Sequence, residues 1–255
     1  MYKYIRSVLA RRTFAHKLRN KAMNTFSSYE IFNSIREKQE QNRQIEKRPH
    51  EVLYFHKVDD PYSHLTVQYL DKLKDSYDIV LKPILVGEEN PETLHEPSLY
   101  NKYCLEDVRR IATYYQIEFE ADSYPSKNLV DLANSILSSV EKENFNDIAR
   151  DVSSALWNNE EDKLKEISTK YSASEDEVNK KLSEGNEIRN ECDYYFGSAF
   201  YYEKELYWGV DRLNHLEARL SELGAKKTLS NELICNLNTN APKELSSEHK
   251  LNLTY

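Results

Sequence analysis

The pattern of apolar and polar residues along the chain changes between short strand-like runs and stretches with helical spacing. Residues 52–55 form a short apolar run that is typical of a buried strand, and residues 79–86 predict a second strand. Between these runs, Leu65, Tyr69 and Leu73 recur at helical spacing. A strand, a helix and a second strand joined by short links predict a right-handed parallel unit.

The second half of the chain predicts a hairpin and a closing helix. Residues 198–202 and 206–208 alternate as two strands across residues 203–205. Leu213 to Leu223 then present one apolar helical face that Gly224 ends. Between the two halves, helical patterns occupy residues 103–115, 129–140, 148–157, 164–171 and 178–182. The pattern therefore predicts an α/β domain with a large helical insertion.

The N-terminal region is strongly basic. Seven basic residues precede the first acid, Glu30, and they alternate with apolar residues in a loosely amphipathic helix over residues 1–21. Such a helix is suited to an anionic membrane surface or to docking on the acidic body of the same chain. Ser27 and Glu30 predict a capping box, and the helix that follows is expected to reach Lys47 before Pro49.

Composition limits the class of protein. The chain has 255 residues, 39% of them hydrophobic, and a net charge of −8, so it is expected to fold and to avoid nucleic acid. Cys104, Cys192 and Cys235 lie far apart, which favours buried thiols in a reducing compartment over disulfides or a metal site. No apolar run is long enough to cross a bilayer, and we expect a cytoplasmic protein.

Two segments together resemble a known family. Residues 54–65 read Tyr-Phe-His-Lys-Val-Asp-Asp-Pro-Tyr-Ser-His-Leu, and residues 207–213 read Tyr-Trp-Gly-Val-Asp-Arg-Leu. The first is similar to the strand-to-helix corner of DsbA-like thioredoxin proteins, including kappa-class glutathione transferases and 2-hydroxychromene-2-carboxylate isomerases. The second resembles the turn before the family's last helix. The resemblance covers roughly residues 50 to 224 and implies a thioredoxin-like fold, without the Cys-x-x-Cys of the redox members.

The resemblance also implies a binding site. Its catalytic positions fall on Asp60 and Ser63, and its ligand-binding positions fall on Pro61, Tyr62, Gly197, Ser198, Val210 and Asp211. Glutathione is the implied cofactor, with a small thiol or aromatic substrate, and the kappa-class relatives imply a homodimer.

Two positions depart from the family pattern. Asp60 stands where relatives carry a serine or cysteine that addresses a sulfur atom, and a carboxylate there repels a thiolate. Ser198 stands where relatives carry a cis-proline, so the backbone beside the site is expected to differ.

Each candidate residue has a plain structural alternative. Asp60 and Pro61 are a good helix start, which competes with a general-base role for Asp60. His56 and His64 are expected to be packed or solvated, because neither has triad or metal-ligand spacing to its neighbours. Six aromatic residues are expected to pack in the core and the sheet, with an aromatic cleft for a flat ligand as the alternative: Tyr194, Tyr195, Tyr201, Tyr202, Tyr207 and Trp208.

These observations leave three functions open. The first is a glutathione-associated isomerase or transferase, which requires an open pocket. The second is a non-catalytic binding or interaction module, which requires a closed cleft. The third, thiol-disulfide exchange, requires Cys104 or Cys192 near the corner. The predicted domains are a basic helical extension (1–48), a DsbA-like thioredoxin domain (49–225) with its insertion at about 96–190, and a tail (226–255). The chain is also consistent with a fragment of a longer protein.

Overall fold

The structure is a computed structural model that describes residues 16–24, 28–87, 96–227 and 234. The chain divides into two compact units, Met1–Pro49 and His50–Tyr255, and each is described by itself. No helix among the described residues is both long enough and apolar enough to cross a membrane.

The described part of the first unit, residues 16–24 and 28–49, contains two helices. Helix α1 includes residues 16–24, and helix α2 spans Tyr29–Ile45. The side chain of Ser28, one residue after the predicted cap, accepts a hydrogen bond from the amide of Ile31 at the start of α2. Ser27 and residues 1–15 of the predicted basic helix lie outside the described residues, so both alternatives for that helix stay predictions.

The second unit is built on a four-stranded sheet. Its strands are β1 (Glu51–His56), β2 (Val80–Leu85), β3 (Ala199–Tyr202) and β4 (Glu205–Trp208), in the order β2-β1-β3-β4. Strands β1 and β2 are parallel, whereas β3 is antiparallel to both β1 and β4. This order and these directions are those of a thioredoxin-like fold, so the predicted fold class and parallel unit are confirmed.

The connection between β1 and β2 differs from the prediction. Instead of one continuous helix, α3 spans Pro61–Val67 and α4 spans Leu70–Ser76. The break coincides with Gln68, whose side-chain amide donates to the carbonyl oxygens of His64 and Glu118. The helix is therefore interrupted at a residue that bonds to Glu118, fifty positions further along the chain.

Five α-helices and one short 3-10 helix (Lys142–Asn144) occupy the described residues between β2 and β3, as the predicted insertion requires. The α-helices are α5 (Pro97–Tyr115), α6 (Lys127–Ser139), α7 (Phe145–Trp157), α8 (Glu161–Ser168) and α9 (Glu175–Glu191). Helix α7 is the most buried of these and packs against α3, α6 and α8. Helix α9 extends beyond the predicted residues 178–182 at both ends, and Ser174 and Glu177 form a capping box at its start.

The hairpin and the closing helix follow the prediction. Glu203 and Lys204 both have positive φ, at 44° and 70°, which is the backbone of a tight two-residue hairpin turn. Helix α10 spans Leu213–Glu222 and ends at Gly224, whose φ is 75°. In the predicted tail, Ile234 is part-buried against the core.

Candidate functional site

The Asp60 carboxylate is the N-cap of helix α3. Its oxygens accept hydrogen bonds from the amide of Tyr62 at 3.2 Å and from the amide of Ser63 at 3.1 Å. Pro61 occupies the first helical position, where its missing N–H has no cost. The strand-to-helix corner, residues 60–63, thus satisfies its own free amides.

The Ser63 hydroxyl is hydrogen-bonded within the same cap. It donates to Asp60 Oδ2 at 2.8 Å and accepts from the amide of Lys57 at 3.3 Å. Ser63 is fully buried. A substrate sulfur therefore has no access to this hydroxyl in the structure described.

The predicted ligand-binding pair Gly197 and Ser198 packs directly on the corner. A Cβ atom at position 197 would lie 2.8 Å from the Cβ of Lys57. It would also lie 2.9 Å from Asp60 Oδ2 and 3.0 Å from Ser63 Oγ. Only glycine fits at this approach, and the space between the two segments is filled by the protein itself.

Ser198 replaces the expected cis-proline with a different backbone. Its φ is 54°, and none of the described residues follows a cis peptide bond. Its hydroxyl lies 2.7 Å from Thr66 Oγ1, and its carbonyl oxygen accepts from the amide of Gly209 at 2.7 Å. The polar groups of this serine face the protein interior, where Ser198 is fully buried.

Val210 and Asp211 lie in a short 3-10 helix that contacts α3. Val210 is part of the core, whereas Asp211 is half-buried and pairs with Arg212 at 3.0 Å. Burial raises the pKa of Asp211, an effect that Arg212 opposes and that the charge of Asp107 adds to. Asp107, from α5, accepts a hydrogen bond from the Tyr62 hydroxyl at 2.8 Å.

Aromatic rings continue from the corner. The Tyr62 ring lies 5.0 Å from that of Trp208, and Phe196 stacks between Trp208 at 5.9 Å and Tyr100 at 5.7 Å. Neither Phe196 nor Tyr100 was predicted for the site. Of the predicted aromatic residues, Tyr202 and Tyr207 belong to the core, and only Tyr195 is exposed. The cluster is therefore mainly packing, as the structural alternative predicted.

Cys104 approaches the corner, which its sequence position did not indicate. Burial raises the pKa of its thiol; hydrogen bonding to the Tyr100 hydroxyl opposes this, and the Asp60 charge adds to it. The hydroxyls of Tyr62 and Tyr124 also interact with the thiol. Cys104 is buried as predicted, whereas Cys192 is half-buried and Cys235 lies outside the described residues.

The two histidines near the corner are packed side chains. His56 is buried and its Nδ1 lies 3.1 Å from the Tyr54 hydroxyl, whereas His64 Nδ1 lies 2.9 Å from Ser153 Oγ. Burial lowers the pKa of His56 to about 3 and that of His64 to about 4. Neither ring contacts the Ser63 hydroxyl through a hydrogen bond in the described structure, so neither serves as its base. The described residues also contain no group of three or more metal-ligating side chains suited to a metal ion.

Comparison with known proteins adds one structural likeness. No protein-family model matches the chain, and neither does any curated protein. A solved structure described as 2-hydroxychromene-2-carboxylate isomerase aligns with a TM-score of 0.49 and 18% sequence identity. The alignment covers 68% of this chain and 96% of the isomerase. The fold assignment rests on the strand order and pairing of the sheet, not on this likeness.

Proposed function

We propose that this chain is a DsbA-like thioredoxin-fold module that binds a ligand or partner without catalysis at the corner. The observation that carries the proposal is the Asp60 carboxylate, which accepts hydrogen bonds from two helix amides and from the Ser63 hydroxyl. These are the groups that a bound sulfur would need. The protein supplies its own anion where a thiolate-binding relative would hold the ligand.

Charge and space both oppose a thiol ligand at the corner. A thiolate would meet the Asp60 carboxylate, and like charges at short range in a part-buried site repel strongly. A Cβ atom at position 197 would lie 2.9 Å from Asp60 Oδ2, so Gly197 packs directly against the corner. No gap remains between these two segments to enclose a thiol ligand. The closed cleft that distinguishes the binding module is the arrangement these distances support.

Glutathione-associated isomerase or transferase activity is the second candidate. It is favoured by Asp211, which is retained from the family pattern, half-buried and close to the corner through the contact of its short helix with α3. Thiol-disulfide exchange is less supported, because the raised pKa of the Cys104 thiol lowers the fraction of thiolate that would attack a disulfide.

Calorimetric titration with reduced glutathione tests the proposal. Native protein, Asp60→Ser and Asp211→Ala are compared, with Asp147→Ala as a matched control that removes an ion pair with Arg150 in the helical insertion. The proposal predicts no binding to native protein. Binding that appears only in Asp60→Ser would also support it, because the capped corner would then be the obstacle.

The opposite result is equally clear. Glutathione binding to native protein that Asp211→Ala weakens at least tenfold, and Asp147→Ala leaves unchanged, would contradict the proposal. The isomerase or transferase would then be the better account, and a screen of enzyme activity would follow.

A further inference from the structure

Helix α2 of the first unit exposes its apolar side chains. None of the residues Tyr29–Ile45 is buried. The side chains of Phe32, Ile35 and Ile45 belong to residues that are 40%, 47% and 78% exposed. At about 100° per residue, these three residues and Ile31 fall within an arc of about 140° on one side of the helix. We call this side the exposed face of α2, and it consists of Ile31, Phe32, Ile35, Lys38 and Ile45.

The acidic residues of α2 lie on its other side. The helix contains Glu30, Glu37 and Glu40, and the same angular spacing places all three outside the arc of the exposed face. Lys38 lies inside the arc, is exposed, and forms no ion pair among the residues that the structure describes. The exposed face of α2 is therefore apolar with a positive charge.

Helix α1 repeats this combination of exposed apolar and basic residues. Residues 16–24 include no acid, and Leu18 is 60% exposed between Lys17 and Arg19. Both of these basic side chains are exposed, and neither forms an ion pair within the described part of the chain. Residues 1–48 together carry 12 basic and 4 acidic residues, a net charge of +8. A partner of this region is therefore expected to be anionic and to accept apolar side chains.

An anionic lipid surface meets both requirements. Apolar side chains of an interfacial helix are stabilised at the boundary of the acyl chains, and basic side chains are attracted to anionic headgroups. Nucleic acid would use the positive charge but would leave Phe32 and Ile35 in water. A second copy of the chain would cover the apolar side chains but would bring two sets of positive charges together.

We propose that helices α1 and α2 dock on a membrane surface that contains anionic phospholipid. The exposed face of α2 lies against the acyl boundary, and Lys17, Arg19 and Lys38 lie among the headgroups. The binding is peripheral, because neither helix is long and apolar enough to cross a membrane. This inference goes beyond the proposed function, since it concerns the first unit and not the corner.

Cosedimentation of the full chain with lipid vesicles tests the inference. One set of vesicles is phosphatidylcholine alone, and in the other set one lipid in four is phosphatidylserine. We expect the apparent Kd to be at least about tenfold lower on the anionic vesicles, since each basic residue near such a surface strengthens binding about fivefold. Raising the salt concentration from about 0.05 M to about 0.5 M should weaken that binding at least about tenfold, because salt screens the attraction.

Substitutions locate the docking surface. Ile35→Ala and Lys38→Gln should each weaken binding to the anionic vesicles about fivefold, because one removes buried apolar area and the other removes a charge. Alanine and glutamine both favour helix, so α2 is expected to persist in these variants. The matched controls lie in the second unit and should change binding less than about twofold, since they are outside the docking helices. They are Leu99→Ala, at a residue that is 67% exposed, and Lys170→Gln, at an exposed lysine without an ion pair among the described residues.

Several results would overturn the inference. Absence of binding to the anionic vesicles, or equal binding to both sets of vesicles, would remove its basis. Equal losses in the control variants would place the membrane contact elsewhere on the chain. Without vesicle binding, an oligomer that Ile35→Ala dissociates would assign the exposed face to a second copy, and salt-dependent binding to double-stranded RNA would assign the charge to nucleic acid. None of these results depends on glutathione, so this inference and the proposed function can fail separately.

Discussion

Removing the Asp60 carboxylate should destabilise the protein if its role is to cap α3. In Asp60→Ala, the amides of Tyr62 and Ser63 lose their acceptor, and a lost N-cap costs about 1 kcal/mol. The buried Ser63 hydroxyl also loses the acceptor at 2.8 Å, which adds about 1–2 kcal/mol. The free energy of unfolding should therefore fall by about 2–3 kcal/mol, or about 4–12 °C in Tm.

Urea unfolding followed by fluorescence of Trp157 and Trp208 measures this loss. Asp60→Asn is the matched variant, because its single amide oxygen keeps one side of the cap while its Nδ2 cannot accept from the donors on the other side. It should lose about 1–2 kcal/mol, less than Asp60→Ala. A double-mutant cycle with Ser63→Ala should give a coupling of about 1–2 kcal/mol, since the two side chains share a hydrogen bond.

The opposite outcome would refute the capping argument. Residues kept for function are often held at a cost to stability, so replacing them is neutral or stabilising. Asp60→Ala with unchanged or increased stability, together with no coupling to Ser63, would mean that the carboxylate is retained for chemistry and not for the helix.

Three further predictions follow from the same region. Gly197→Ala should lose about 1–3 kcal/mol of stability in urea unfolding, because its Cβ would come within 3.0 Å of three side chains. Gly87→Ala is the control and should be near neutral, because its nearest contact would be at 3.5 Å. Equal losses in the two variants would contradict the close approach of Gly197 to the corner. The pKa values of about 3 for His56 and about 4 for His64 lie below the ordinary 6.5 of a histidine. The contribution of these histidines to the free energy of unfolding should therefore be complete above pH 6.5 and decrease as the pH falls to about 4. The decrease should reach at most about 1.4 kcal/mol per histidine per pH unit. Urea midpoints at pH 7 and pH 5 check this, and an unchanged pH slope in His64→Gln would contradict it. The raised pKa and burial of Cys104 predict that a thiol reagent labels it only after unfolding. The measurement uses a variant that lacks the other two cysteines. Rapid labelling of this folded variant at neutral pH would contradict the prediction that Cys104 is buried and unreactive.

Local patterns predicted the parts of the fold that depend on neighbouring residues. Residues 52–55 form a continuous apolar run because β1 lies inside the sheet, whereas residues 79–86 include Lys82, because β2 pairs with β1 at the edge of the sheet. The hairpin was predictable from the strand patterns that flank it, and the end of α10 from Gly224, whereas the two-residue turn at Glu203 and Lys204 has no turn signature and was predicted one residue too long.

Other features depend on contacts between distant residues. The break between α3 and α4 coincides with the bond of Gln68 to Glu118, and no local pattern records it. The position of Cys104 beside the corner depends on how α5 packs on α3, which spacing along the chain does not encode. Ser198 adopts a positive φ that its residue type does not favour, held by its bonds to Thr66 and Gly209.

The predicted site residues stay a prediction, and the sequence did not indicate how closely they pack. The family resemblance pointed to the corner, to Gly197 and Ser198, and to Val210 and Asp211, and packing brings the first two segments into contact. Whether that contact leaves room for a ligand depends on tenths of an ångström around Gly197. A sequence pattern carries no such distance.

The most direct test of the central claim is a ¹⁵N–¹H spectrum of the native protein titrated with reduced glutathione to millimolar concentration. The capped, closed corner predicts that the amide signals of Tyr62, Ser63 and Gly197 stay in place. Saturable shifts of these three signals that disappear in Asp211→Ala would show glutathione inside the corner and would contradict the account.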